Sequence, residues 1–168
     1  MKRHFFDSLE DEALGGACFE PYIPLIRGRD TKVKEELYQK LTTGQKALFM
    51  FYAYFNHAKN SIEEFYWWGA YYYAQPRAWK AIKNGLEYFG ANEMMCLFVK
   101  LEQLFEAGNF SRSIEDFNVS YNDIEKDPEL MESIALLNID FTEISPKTLK
   151  DIGEKIRSNP SEYIQIVD

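Results

Sequence analysis

Between Phe49 and Tyr73, twelve of twenty-five consecutive residues are aromatic: Phe49, Phe51, Tyr52, Tyr54, Phe55, Phe65, Tyr66, Trp67, Trp68, Tyr71, Tyr72 and Tyr73. These side chains carry the largest apolar area per residue, and a buried Tyr or Trp also needs a hydrogen-bond partner. A segment this rich in rings is either the centre of the fold or a surface made to be covered. Core packing is the first reading, because large apolar side chains dominate interiors. Self-association is the second, because Tyr and Trp are enriched at interfaces. Stacking on single-stranded nucleic acid calls for interleaved cations, and Lys59 is the only Lys or Arg in the segment.

The order of residues divides this segment and its continuation into four helices. Thr42-Thr43-Gly44-Gln45 has the spacing of a capping box, in which a hydroxyl and a Gln three residues later satisfy each other's backbone N–H groups. It predicts a helix over 43–59, with Leu48, Phe51, Tyr52 and Phe55 on one face and Met50, Ala53, Tyr54 and His57 on the other. A helix apolar nearly all round is expected to be buried on all sides. Ser61-Ile62-Glu63-Glu64 repeats the capping-box spacing and opens a helix over 61–75, stopped before Pro76. Its inner face is Ile62, Phe65, Tyr66, Gly69 and Tyr73; Trp67, Trp68 and Tyr71 form a second apolar face. Pro76 suits the first position of a third helix over 76–89, whose stripe is Trp79, Ile82, Leu86 and Phe89 and whose left-handed cap is Gly90. Asn92 is expected to cap a fourth over 93–107, with Met94, Leu97, Phe98, Leu101 and Phe105 inside and Gly108 at its end. Short links between such helices predict a bundle.

Signals weaken outside this core. Residues 3–14 and 31–41 read as amphipathic helices joined by a loop containing Pro21 and Pro24. After Gly108 an irregular acidic stretch is expected to Asp127, followed by one helix opened by Asp127-Pro128 and another opened by Ser145-Pro146. Tyr163 to Val167 alternates like a strand but has no clear strand to pair with, so it is read as irregular. With no repeat, no low-complexity linker and 168 residues, the chain is expected to form one all-α domain over 1–168, a helical bundle around an aromatic-rich helical hairpin.

Charge is unevenly placed. The net charge is −8, and residues 111–168 hold thirteen acids against six bases, so seven of the eight excess charges lie in the last third. Nucleic-acid binding needs clustered Lys and Arg to replace phosphate counterions, so direct nucleic-acid contact is disfavoured. A basic protein would instead be steered in. Glu115, Asp116, Asp123, Glu125, Asp127, Glu129 and Glu132 are the residues expected to meet it. Cys18 and Cys96 are too few for a disulfide framework, which favours buried free thiols in a reducing cytosol over a single bridge. Acids interrupt the basic N-terminus before any apolar run, and no stretch approaches the roughly 20 apolar residues of a membrane span. A cytoplasmic protein with no membrane partner is expected.

Catalytic and cofactor patterns are missing. There is no Gly-x-Gly-x-x-Gly, no phosphate loop, no Cys-x-x-Cys, no His-Glu-x-x-His and no Gly-x-Ser-x-Gly. His4 and His57 are the only histidines, and the helix break after His57 is expected to keep it out of register with Glu64. Asp116 to Asp127 has oxygen side chains at alternate positions, as in a calcium loop, but Tyr121 stands where the turn requires Gly. No catalytic residues, metal or cofactor are therefore assigned. The alternative is a small-molecule-binding or hydrolytic protein using Glu63 or Glu64 beside Tyr66 and Trp67.

Leu41-Thr42-Thr43-Gly44-Gln45-Lys46-Ala47-Leu48, Leu86-Glu87-Tyr88-Phe89-Gly90-Ala91, Leu104-Phe105 and Ile156-Arg157-Ser158-Asn159-Pro160-Ser161-Glu162-Tyr163 together resemble the bacterial family of acidic domains named after a DNA-mimic protein. The likeness covers residues 41–106 and, more loosely, 126–163. Where that family often has Asn-Gly-Gly between its aromatic helices, this chain has Asn60-Ser61-Ile62. The resemblance implies an all-α, non-enzymatic domain and dimer formation, with DNA mimicry only in outline. For a homodimer the candidate face is Trp67, Trp68 and Tyr71.

Overall fold

Helices form where their start and stop signals are strongest. In the computed structural model, which describes residues 1–168, α1 (Arg3–Ser8), α2 (Asp11–Phe19), α3 (Ile23–Ile26) and α4 (Thr31–Gln39) precede the core. The core is α5 (Thr43–Ala58), α6 (Ile62–Tyr73), α7 (Pro76–Phe89) and α8 (Asn92–Ala107), with α9 (Asp123–Lys126) and α10 (Pro128–Ser158) completing the chain. The capping box of α5 is fully formed: Gln45 N–H donates to Thr42 Oγ1 at 3.1 Å, and Thr42 N–H to Gln45 Oε1 at 3.0 Å. Pro76 occupies the first turn of α7, and Gly90 ends it at φ 71°. α5 is the middle of the molecule, packed on α2, α6 and α7. Leu48, Phe51, Tyr52, Tyr54 and Phe55 are all buried. The all-α, single-domain bundle is thus what the sequence pattern predicts. No helix is long and apolar enough to cross a membrane.

Several boundaries differ, each with a tertiary cause. The single helix expected over 3–14 is two, α1 and α2, broken at Leu9 where ψ is 141°. There the Arg157 guanidinium donates to the Leu9 carbonyl, to Phe6 O and to Asp11. Pro21 and Pro24 lie not in a loop but in a 3₁₀ turn over Glu20–Tyr22 and in α3, each near an N-terminus where a proline costs no hydrogen bond. Asn92 is the first residue of α8 rather than its cap; its side chain accepts no capping bond, and Ala91 takes that place.

Around Pro146 the expected helix start is absent. α10 runs through it as one helix of 31 residues. Ile134, Phe141, Ser145, Thr148, Ile152 and Ile156 form an unbroken buried stripe, while Pro146 lies on the exposed face. The bond that Pro146 cannot donate is lost on the side where water can replace it. Ser145 does not cap: its hydroxyl donates to Phe141 O at 2.6 Å inside the helix.

Two close approaches lock α10 and the C-terminal residues onto the rest. A Cβ on Gly153 would lie 2.1 Å from the Asp11 carbonyl oxygen, so α2 and α10 cross backbone to backbone. Glu162, in the 3₁₀ turn Pro160–Glu162, accepts the Gly44 N–H at 2.8 Å, and Gln45 Nε2 donates to Tyr163 O at 3.0 Å. A carboxylate on the first turn of α5 complements the positive end of that helix. The alternating C-terminal residues find their partner at the other end of the chain: Lys2 and Val167 form an isolated parallel bridge, with Arg3 N–H on Val167 O at 2.8 Å.

Candidate interaction surface

The second apolar face of α6 is half-buried beneath the chain's own irregular segment between α8 and α9. That segment takes a sharp turn at Asn109, at φ 55°, directly after Gly108. It then lays Phe117, Val119 and Tyr121 against α6. Trp67 is sandwiched between Tyr71 and Tyr121, with centroids 5.2 and 5.1 Å away and planes within 9° and 12° of parallel. Phe117 meets Trp67 edge-on, and Trp67 Nε1 donates to Val119 O at 3.0 Å. The face proposed from the sequence for a second subunit therefore already has an intramolecular cover over Trp67 and Tyr71.

Trp68 meets Trp67 and Tyr71 edge-on, with centroids 4.9 and 5.3 Å away. His57 stacks on Trp68 at 3.8 Å between centroids, and Trp68 Nε1 donates to Glu64 Oε2 at 2.6 Å. The turn after α5 thus links His57 to Glu64 through an indole, which helical spacing alone did not predict. Loss of water under the stack holds the imidazole below the usual histidine pKa, against the pull of Glu64. Because Glu64 turns to Trp68, the second capping box is only half made. Ser61 Oγ accepts the Glu64 N–H at 3.2 Å, and a bond from the Ser61 hydroxyl holds the Glu63 carboxyl below its usual range. Two surface grooves lie elsewhere. One, of about 550 Å³ between α7 and α8, has Lys83 and Arg112 both paired to Glu102. The other, of about 390 Å³ between α8 and α10, is lined by Cys96, Lys100 and Asp140. Neither includes Glu63 or Glu64.

The seven acids singled out from the sequence divide into two groups. Asp123 and Asp127 work for the fold. Asp123 Oδ2 accepts the Ser120 N–H at 2.7 Å while its Oδ1 lies 3.6 Å from Lys126 Nζ; Asp127 Oδ1 caps α10 by accepting from the Glu129 and Leu130 N–H groups. Both sit close enough to Tyr66 to add to the effect of burial in pushing its phenol well above the usual range. The calcium-like spacing of Asp116 to Asp127 is spent on these turns, and no three His, Cys, Asp or Glu side chains converge on one point. Glu115, Asp116, Glu125, Glu129 and Glu132 are exposed and have no cation within 4.0 Å.

Sequence reasoning missed how α10 continues that acidic face. Glu129, Glu132, Leu136, Ile139 and Glu143 recur at helical spacing, and all are exposed. Leu136 and Ile139 are 61% and 53% exposed. The available signal was that both fall outside the inner stripe. Both cysteines are free, but only Cys18 is buried; Cys96 is exposed on α8, where it points away from the core stripe.

Comparison with family models, with curated proteins and with solved structures gave no match.

Proposed function

We propose that this protein is a non-enzymatic binding module of the cytoplasm whose acidic C-terminal third docks a basic protein, including one that otherwise binds DNA. The observation that carries this is the set of exposed, unpaired carboxylates Glu125, Glu129 and Glu132, leading along one face of α10 to the bare side chains of Leu136 and Ile139. Carboxylates spare for the fold and adjacent to apolar surface have the makings of an interface core with a polar rim. The likeness to the DNA-mimic-like family points the same way. Free cysteines, one of them exposed, favour a reducing compartment.

The test is capture of partners from a native host extract. Glu115→Gln, Asp116→Asn, Glu125→Gln, Glu129→Gln and Glu132→Gln are combined in one variant, leaving the structural Asp123 and Asp127 intact. Docking through several carboxylates weakens steeply as the Debye length falls from about 10 Å at 0.1 M salt to about 3 Å at 1 M. Basic partners should be held at low salt by the natural chain and lost by the variant. Equal recovery by both would refute docking through these acids.

A further inference from the structure

We infer that the exposed face of α10 is a seam for one helix of a partner protein, laid antiparallel to α10 and carrying two apolar residues flanked by Lys or Arg. This rests on reading the acidic third as a docking surface, and it states what the partner must present. Glu129, Glu132, Leu136, Ile139 and Glu143 are all exposed, and they follow one another at intervals of three, four, three and four residues. At 3.6 residues per turn these side chains fall within an arc of roughly 80°, centred opposite the buried stripe from Ile134 to Ile156. From Glu129 to Glu143 the seam runs about 21 Å along the helix axis. A three-four repeat is the spacing at which a second helix keeps contact over several turns. Here the central positions are apolar, Leu136 at 61% and Ile139 at 53% exposure, and the ends are acidic.

The charges around the seam select its occupant. From Pro128 to Pro146 α10 has four acids and no Lys or Arg. Asp140 is held by Lys100 of α8 at 3.1 Å, whereas Glu129, Glu132 and Glu143 have no cation within 4.0 Å. Lys147 and Lys150, just beyond, are paired within α10 to Asp151 and Glu154. An anionic lipid surface or a nucleic acid is repelled by such a face. A second α10 is a poor occupant as well. With Leu136 against Ile139 in an antiparallel pair, Glu132 faces Glu143; in a parallel pair each Glu faces its own copy. A partner helix satisfies the seam when cations stand opposite the three acids and apolar residues opposite Leu136 and Ile139. Running antiparallel, it reads Lys or Arg, three residues, apolar, two residues, apolar, three residues, Lys or Arg, two residues, Lys or Arg. That order puts its closing pair of cations in its own last turns, where the helix dipole favours them, and beside Glu129 and Glu132 in the first turns of α10.

Fluorescence anisotropy tests it, with the whole chain and a labelled helical peptide of that pattern. One control peptide has the pattern in reverse order, and another has the same composition shuffled. The patterned peptide should bind at about 0.1 M salt and be released at about 1 M, where the Debye length is about 3 Å. Glu129→Gln/Glu132→Gln and, separately, Leu136→Ser/Ile139→Ser should each weaken binding by about tenfold or more. All four side chains are exposed, so the helical circular dichroism of both variants should match that of the natural chain. Glu129→Lys/Glu132→Lys should lose this peptide and bind instead one with Glu at its last two charged positions. That exchange reports register, which a loss of folding could not imitate.

Equal binding of the shuffled peptide overturns the helical seam while leaving acidic docking in place. Equal or tighter binding of the reversed peptide overturns the antiparallel order. If no peptide binds, the seam is overturned, and capture from the host extract decides the docking reading separately, because the combined Gln and Asn variant used there removes charge and leaves Leu136 and Ile139 alone. Self-association of the natural chain that is lost in Leu136→Ser/Ile139→Ser would make a second copy the occupant and overturn the inference as well.

Discussion

Replacing Gly153 with Ala should damage this fold, although Ala is the better helix former. In an open helix interior the exchange gains about 1 kcal/mol. Here the new methyl group would sit 2.1 Å from the Asp11 carbonyl oxygen, 2.5 Å from its carbon and 2.7 Å from the Asp11 Cα. Ordinary contact begins at 3.4 Å, so α2 and α10 would have to part by about 1.3 Å, the difference between those distances. The atoms in the way belong to backbone and cannot rotate aside. Overpacking of this kind costs about 1–3 kcal/mol and occasionally more. With the obstruction at the upper end of that range and the helical gain subtracted, the net loss is about 2 kcal/mol. For a chain of this length that lowers the midpoint of thermal unfolding by about 4–8 °C. The control is Gly16→Ala on α2 itself, where the added methyl meets only Tyr52 ring and hydroxyl atoms at 3.7 and 3.9 Å. It should gain up to about 1 kcal/mol. Urea unfolding followed by helical circular dichroism measures both. A Gly153→Ala chain as stable as the natural one would refute the backbone crossing.

Two further outcomes follow from the same structure. Glu162→Gln removes the charge that faces the α5 N-terminus at Gly44, and should cost about 1 kcal/mol in urea unfolding; an unchanged midpoint would mean the clamp adds nothing. In the native protein near pH 8 one thiol should react quickly with Ellman's reagent and the second only on unfolding. Cys96 is exposed, while burial, partly opposed by the terminal ammonium, pushes the Cys18 thiol up to about 11. Because that folded value is raised, the stability it contributes is present below the unfolded thiol range and is lost as pH climbs through about 11. Two fast equivalents would contradict the burial of Cys18.

Local signals carried the core, and tertiary contacts decided the rest. The Thr42–Gln45 box, Pro76 and Gly90 were legible because each acts on the backbone within a few residues. Pro146 misled because the cost of a proline in a helix depends on which face it occupies, and that follows from where the stripe from Ile134 to Ile156 packs. Leu9 breaks the N-terminal helix because its carbonyl is taken by a guanidinium 148 residues away. At the acidic surface the composition located the region, yet it could not separate Asp123 and Asp127, which hold turns, from Glu129 and Glu132, which hold nothing. Nor could it place Leu136 and Ile139 outside the core. Exposure is a property of the packed helix, and the residue types alone favoured the interior.

The crossing of α2 and α10 also sets the order in which the chain can become native. Neighbouring helices α5, α6, α7 and α8 pack on one another, so they can collapse through near-neighbour contacts as soon as they are synthesised. By contrast, Asp11 must wait for Arg157, 146 residues later, and Gly44 for Glu162, 118 residues later. Closing loops of that length is what makes non-local contacts slow. During translation α2 therefore has only the α5 side of its seat, where Phe19 meets Phe49 and Tyr52, until α10 has left the ribosome, and the face that α10 covers stays open to water or to a chaperone for most of synthesis.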